Sequence, residues 1–153
     1  MARRLDTERA AGIPSLIYLI KQVELAAKSH LDEIVAPHGI TALQYTALAV
    51  LARNPGMTSA RLARNAFVRV QSMAQTIGVL EERGWIEREV DPESRRQLRI
   101  CLTPAGWELV RAVQVPLEAF EREMLEELSD EEVEVLGSVL HRLRHRLSGS
   151  HPH

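Results

Sequence analysis

A mainly α chain of α+β type, with one two-stranded hairpin set among six helices, is the fold class this sequence predicts. Three features predict it. Apolar residues recur at helical spacing along most of the 153 residues. The strict apolar–polar alternation of strands appears in two neighbouring runs, WIEREV and QLRICL. Breaks such as APHGI and RNPGM divide the periodic stretches into units.

Ile13, Leu16, Ile17, Ile20, Val23, Ala27, Leu31, Ile34 and Val35 predict a first long helix over about 13–36. Pro14 falls in its first turn, where the missing N–H has no intrahelical partner to lose. Thr41 and Gln44 form the capping-box pattern that opens a second helix over about 41–53. After a short extended piece, Thr58 or Ser59 caps a third, SARLARN. A brief connection leads to a fourth over about 69–83, with Met73, Ile77 and Leu80 inward and Gly84 closing it. The two alternating runs follow, joined by DPESRR, with Arg95 and Arg96 at the tip. Ile86, Arg88 and Val90 share one face of the first strand, and Leu98, Ile100 and Leu102 one face of the second. Thr103 and Pro104 open a fifth helix carrying Leu109, Val110, Val113, Leu117, Phe120, Met124 and Leu128. Ser129 and Glu132 form a second capping box before a last helix with Val133, Leu136, Val139, Leu140, Leu143 and Leu147.

The order is helix, helix, extended piece, helix, helix, hairpin, helix, helix. Its middle reads as a helix-turn-helix followed by a wing, about residues 38–103. The outer helices, about 10–37 and 104–148, carry longer apolar faces than one small lobe can cover, which implies self-association.

The totals exclude several classes. Hydrophobic residues are 45% and charged residues 26%, a globular balance. No apolar run approaches the roughly 20 residues of a membrane-spanning helix, so no membrane partner is expected. The N-terminal arginines and apolar patch read as an amphipathic helix, not a signal peptide. Cys101 is the single cysteine, which rules out an intrachain disulfide and fits a reducing cytoplasm. It lies in a strand, on the face opposite Leu98, Ile100 and Leu102 and shared with Arg99, and reads as a structural thiol. Nucleophile-elbow, phosphate-loop and zinc-protease patterns are absent, so no catalysis and no cofactor are expected. His141 and His145 stand four residues apart, a spacing that can share a metal, but the arginines around them would repel a cation. A solvated helix face is the reading taken, with no metal.

Net charge is −2, yet its distribution is uneven. Thr41 to Leu80 holds Arg53, Arg61, Arg64 and Arg69 and no acid. Pro104 to Glu134 holds ten acids against Arg111 and Arg122. A local basic face steers toward nucleic acid even on an acidic chain. In the fourth helix Gln71, Ser72 and Gln75 cluster near the N-terminal end. Glutamine can pair with adenine in the major groove, and serine with several base edges. Arg61, Arg64 and Arg69 suit phosphates, and Ser59 sits at the start of the neighbouring helix. The DPESRR connection fits a minor-groove wing, one arginine entering and Asp91 and Ser94 orienting it. The same residues also fit a plain solvated turn and a protein-interaction module with no sequence-specific DNA binding. The absence of acids between residues 41 and 80 favours DNA.

The stretches LQYTALAVLARNPGMTSARLARNAFV and LEERGWIEREVDPESRRQLRICLTPAG resemble the MarR family of regulators, in order and over nearly the whole chain. Asp91, Ser94 and Arg96 match its wing motif D-x-R-[D/S]-x-R. Glu93 replaces the motif's first arginine, with Arg95 nearby as a substitute. Arg69-Val70 stands where members often have Ser-Pro, so the usual cap of the fourth helix is missing. The resemblance implies a homodimer built from the first, fifth and sixth helices, a pseudo-palindromic double-stranded DNA operator and a repressor role. It also implies a small phenolic or aromatic effector between the dimer and DNA-binding parts, for which Tyr18, His38 and Tyr45 are candidates beside plain core packing. The family's peroxide-sensing branch uses a cysteine near the N-terminus, and no cysteine stands there.

Overall fold

A computed structural model describes residues 15–148. Helix α1 spans Leu16–Val35, and the Ser15 hydroxyl accepts from the Tyr18 N–H at 3.2 Å. The expected onset at Ile13 and Pro14 lies outside the described residues. A 3₁₀ turn, Ala36–His38, ends the segment. Helix α2 is Ala42–Arg53, and both bonds of its capping box form: Gln44 N–H to Thr41 Oγ1 at 3.1 Å and Thr41 N–H to Gln44 Oε1 at 3.0 Å. Helix α3 is Ser59–Asn65, and of the two candidate caps Thr58 is the one used. Helix α4 is Val70–Glu82. Strands β1 (Ile86–Asp91) and β2 (Ser94–Leu102) pair antiparallel, with Ile86, Arg88 and Val90 opposite Leu102, Ile100 and Leu98. The short extended piece before α3 joins this hairpin: the Ile100 N–H donates to the Met57 carbonyl at 2.9 Å, and the Gly56 N–H to the Ile100 carbonyl at 3.1 Å. Helix α5 is Pro104–Met124, which leaves Leu128 beyond its end, in the connection to α6. Helix α6 is Asp130–Ser148 and opens on the Ser129–Glu132 capping box.

One core cluster fills the middle lobe. Leu48, Leu51, Leu62, Met73, Ile77, Leu80, Ile86 and Ile100 interlock there, each nearly solvent-free. Burying a leucine or isoleucine side chain contributes about 2 kcal/mol, so this cluster fixes how α3, α4 and the hairpin sit on α2. A second cluster, Val35, Ile40, Tyr45 and Val113, ties α1, α2 and α5 together, and Trp85 and Leu109 pack against both. The hairpin is clamped to α5 at one joint. Thr103 caps α5 and donates its hydroxyl to the Gly84 carbonyl at 2.6 Å, while the Thr103 N–H donates to the Trp85 carbonyl at 3.1 Å. Gly106 lies against that same Trp85 carbonyl, where a side chain would collide with it.

The outer helices leave much apolar surface open. Ile17 and Val23 on α1, Val115 on α5 and Leu136, Leu140, Leu143 and Leu147 on α6 are all exposed, and α6 has no buried residue. No single described helix is long and apolar enough to cross a membrane.

Candidate nucleic-acid interface

Helices α3 and α4 pack through Leu62, Ala63, Met73 and Ile77. The core therefore takes one side of each helix and fixes which residues face out. Arg61, Arg64, Arg69, Gln71, Ser72 and Gln75 are all exposed, and Ser59 is half-buried. No carboxylate lies on either helix before Glu81. Arg69 occupies the N-cap of α4 and supplies no capping bond, as the missing Ser-Pro implies. Thr76 went unnoticed in the sequence. It is buried beside Met73 and Ile77, and its hydroxyl donates to the Ser72 carbonyl at 3.0 Å. That intrahelical bond satisfies a polar group in the apolar stripe. Gly78 is exposed, with nothing within 4 Å of where a side chain would begin.

The wing corrects the expected hairpin. Only Pro92 and Glu93 lie outside the strands, and β2 already begins at Ser94. Arg95 and Arg96 therefore stand on β2 and not at the tip. Val90 faces Leu98 and Asp91 faces Ser94, so one step along β1 spans four along β2. Arg95, Arg96 and Gln97 are thereby left outside the regular ladder, and all three are exposed. A bulge of this kind bends a strand and re-aims its side chains.

Asp91 also plays a different part from the one expected. Its Oδ1 accepts the Glu93 N–H at 2.9 Å, closing the turn, and pairs with the Arg99 guanidinium at 3.0 Å. Its partner is thus Arg99, and neither Arg95 nor Arg96. The pair ties β1 to β2 within the wing, and the Arg99 side chain lies beside Gly56, in the loop between α2 and α3. An Arg88–Glu81 pair at 3.0 Å braces the wing to the helix-turn-helix, from β1 to the end of α4.

The three candidate ligand residues differ in their surroundings. Tyr18 is exposed on α1, its hydroxyl accepting from Gln22 at 3.1 Å. His38 is half-buried in the 3₁₀ turn. Tyr45 is buried in the second core cluster, and loss of hydration pushes its phenol above the ordinary range. Cys101 is half-buried, opposite Glu87 in the ladder. Among the described residues no three His, Cys, Asp or Glu side chains gather as a metal site would need.

A helix-turn-helix braced to a two-stranded wing, flanked by long helices, defines a winged-helix protein. Comparison with known proteins gives its family. The model of the MarR family matches residues 38–97. The HTH-type transcriptional repressor Rv2887 of Mycobacterium tuberculosis is 30% identical over 112 residues, 73% of this chain and 81% of that protein. The structure of that protein in complex with salicylic acid has a TM-score of 0.70 at 28% identity, over 87% of this chain and 98% of that one. The transcriptional regulator SlyA has a TM-score of 0.79 at 25% identity, covering 89% of this chain and 96% of its own. A mutant of Staphylococcus aureus MepR bound to an oligodeoxyribonucleotide has a TM-score of 0.58 at 25% identity, over 88% and 99% of the two chains. The chain belongs to the MarR family. It is a transcriptional regulator and not an enzyme.

Proposed function

We propose that the chain is a repressor that binds a pseudo-palindromic operator as a homodimer. Residues 38–103 form the DNA-binding lobe, and 10–37 with 104–148 the dimerisation region. Helix α4 lies in the major groove and reads bases through Gln71, Ser72 and Gln75. Arg61, Arg64 and Arg69 hold phosphates, with Ser59 beside them at the DNA. The wing reaches the minor groove through Arg95 or Arg96, and Asp91 and Ser94 fix the turn behind them. A small aromatic ligand that prefers one spacing of the two lobes releases the DNA by shifting the population of dimer states. The salicylic acid complex of the mycobacterial relative supports that class of effector.

The observation that carries the reading is the outward face of α3 and α4. It is exposed, cationic and amide-bearing, and free of carboxylates until Glu81. An interaction module that had given up DNA would have no need to keep acids off that face. Two substitutions separate the roles. Arg96→Ala should weaken binding to many sequences alike, whereas Gln75→Ala should change the ranking among single-base operator variants by about 1–3 kcal/mol at one position. Binding of Arg96→Ala equal to the wild type at matched salt removes that arginine from the groove.

A further inference from the structure

The C-terminal end of α4 is tied by polar bonds to the α1–α2 turn and to α5. Gly84 takes the left-handed conformation, at φ 73°. Its N–H donates to the Glu81 carbonyl at 2.9 Å and the Trp85 N–H to the Leu80 carbonyl at 3.0 Å, which closes α4 in a Schellman motif. That closure fixes the backbone of Arg83, the C-cap. The Arg83 Nη1 then donates to the Gly39 carbonyl at 2.6 Å, across 44 positions of sequence. Gly39 is left-handed as well, at φ 69°, and its N–H donates to the Ala36 carbonyl at 3.0 Å, closing the turn between α1 and α2. The same guanidinium lies over the Trp85 ring, 5.2 Å from its centre. Trp85 packs against both core clusters, and its carbonyl and that of Gly84 hold Thr103 at the start of α5.

Arg83 is exposed and belongs to neither core cluster, so the packing of the lobe does not depend on it. A solvated cation would satisfy the end of a helix equally well. The guanidinium instead spans to another element, and a charge-assisted hydrogen bond is short and directional. Strung between two closed turns, it constrains how α4 is tilted against the α1–α2 turn. The lever is long. Gln71 lies about 18 Å along the helix from Arg83, so a tilt of about 10° at that end moves Gln71 by about 3 Å, close to the rise of one base pair.

We propose that Arg83 is a positioning residue for operator binding. Its bond to the Gly39 carbonyl sets the tilt of α4 in each protomer, and so selects the length of the spacer between the two half-sites. It acts through α4 and not through contact with DNA. The proposal rests on the dimeric repressor reading given above.

The test is a set of duplexes carrying the shortest bound fragment from upstream of the chain's own coding region, with one base pair inserted or removed at its centre. One base pair turns a half-site by about 35° and shifts it by about 3.4 Å. Wild type should lose about tenfold or more on both altered duplexes, whereas Arg83→Met, which keeps an apolar stem and removes the donors, should lose less than about threefold. Its ranking of single-base variants within a half-site should remain that of the wild type. An unchanged spacing penalty in Arg83→Met overturns the proposal. So does an equal loss on every duplex, which makes Arg83 an ordinary phosphate contact. A second measurement needs no DNA. Spin labels on Gly78→Cys, in a Cys101→Ser background, report the distance between the two α4 helices of the dimer. Arg83→Met should broaden that distribution, and an identical distribution overturns the proposal. Broadening in a protein that binds no operator leaves the positioning role of Arg83 standing and removes the repressor reading instead.

Discussion

Gly106 and Gly78 are glycines for opposite reasons. At Gly106 the Trp85 carbonyl occupies the space a side chain needs, because Thr103 draws that backbone in with two hydrogen bonds. Gly106→Ala should cost about 2 kcal/mol or more, since the hairpin must shift away from α5. Urea denaturation measures it, and an unchanged midpoint contradicts the packing described. Gly78 meets nothing, and sits mid-helix. Gly78→Ala should stabilise the chain by about 1 kcal/mol through helix propensity alone. A stability that falls instead would show that this stretch of α4 is constrained by something beyond its helical backbone.

Among the elements, the wing depends most on one side chain. Asp91 is buried to 8% exposure, closes the turn and holds Arg99. Asp91→Ala should cost about 1–2 kcal/mol, moderated because Arg99 keeps partial access to water. It should also weaken DNA binding uniformly across sequences, measured as equal loss on the operator and its single-base variants. Retained affinity would mean that the wing needs no brace.

The caps of α2, α5 and α6 were legible in the sequence, and that of α3 down to Thr58 or Ser59, because Thr41, Thr58, Thr103 and Ser129 act within three residues of themselves. The strand faces were legible where the hairpin meets the core, at Ile86, Ile100 and Leu102, but toward the tip Val90 and Leu98 of the same face are exposed. The register near the tip was not legible. Alternation assigns faces but does not count residues, and it cannot reveal that Arg95 to Gln97 stand outside the ladder. Asp91 was singled out with the wrong partner, because the Asp91–Arg99 pair depends on that register. Thr76 was missed because a hydroxyl reads as surface until its bond to the Ser72 carbonyl is seen. Phe67, which stands at φ 54° in the turn after α3, gave no signal at all: its left-handed backbone is invisible in the residue type.

For the whole molecule, the exposed apolar faces of α1, α5 and α6 demand a partner surface. Leu140 and Leu143 are exposed on a helix with no buried residue. Leu140→Glu should turn a dimer into a monomer in sedimentation equilibrium, while the lobe, whose core it never touches, stays folded. A monomeric wild type contradicts the dimer. The charge is uneven as well: α3 and the first part of α4 carry no acid, whereas ten acids collect between Pro104 and Glu134, on α5 and the start of α6. In the proposed dimer, two such lobes held about one helical turn apart would favour a palindrome.

Fluorescence anisotropy of the full chain with duplex DNA from upstream of its own coding region, beside a scrambled duplex and at two salt concentrations, tests this most directly. The expected result is tight binding that beats the scrambled duplex and weakens steeply with salt, as release of counterions from several phosphates requires. Binding equal to the scrambled control, or no salt dependence, would contradict the account of α4 and the wing as the surface that reads DNA.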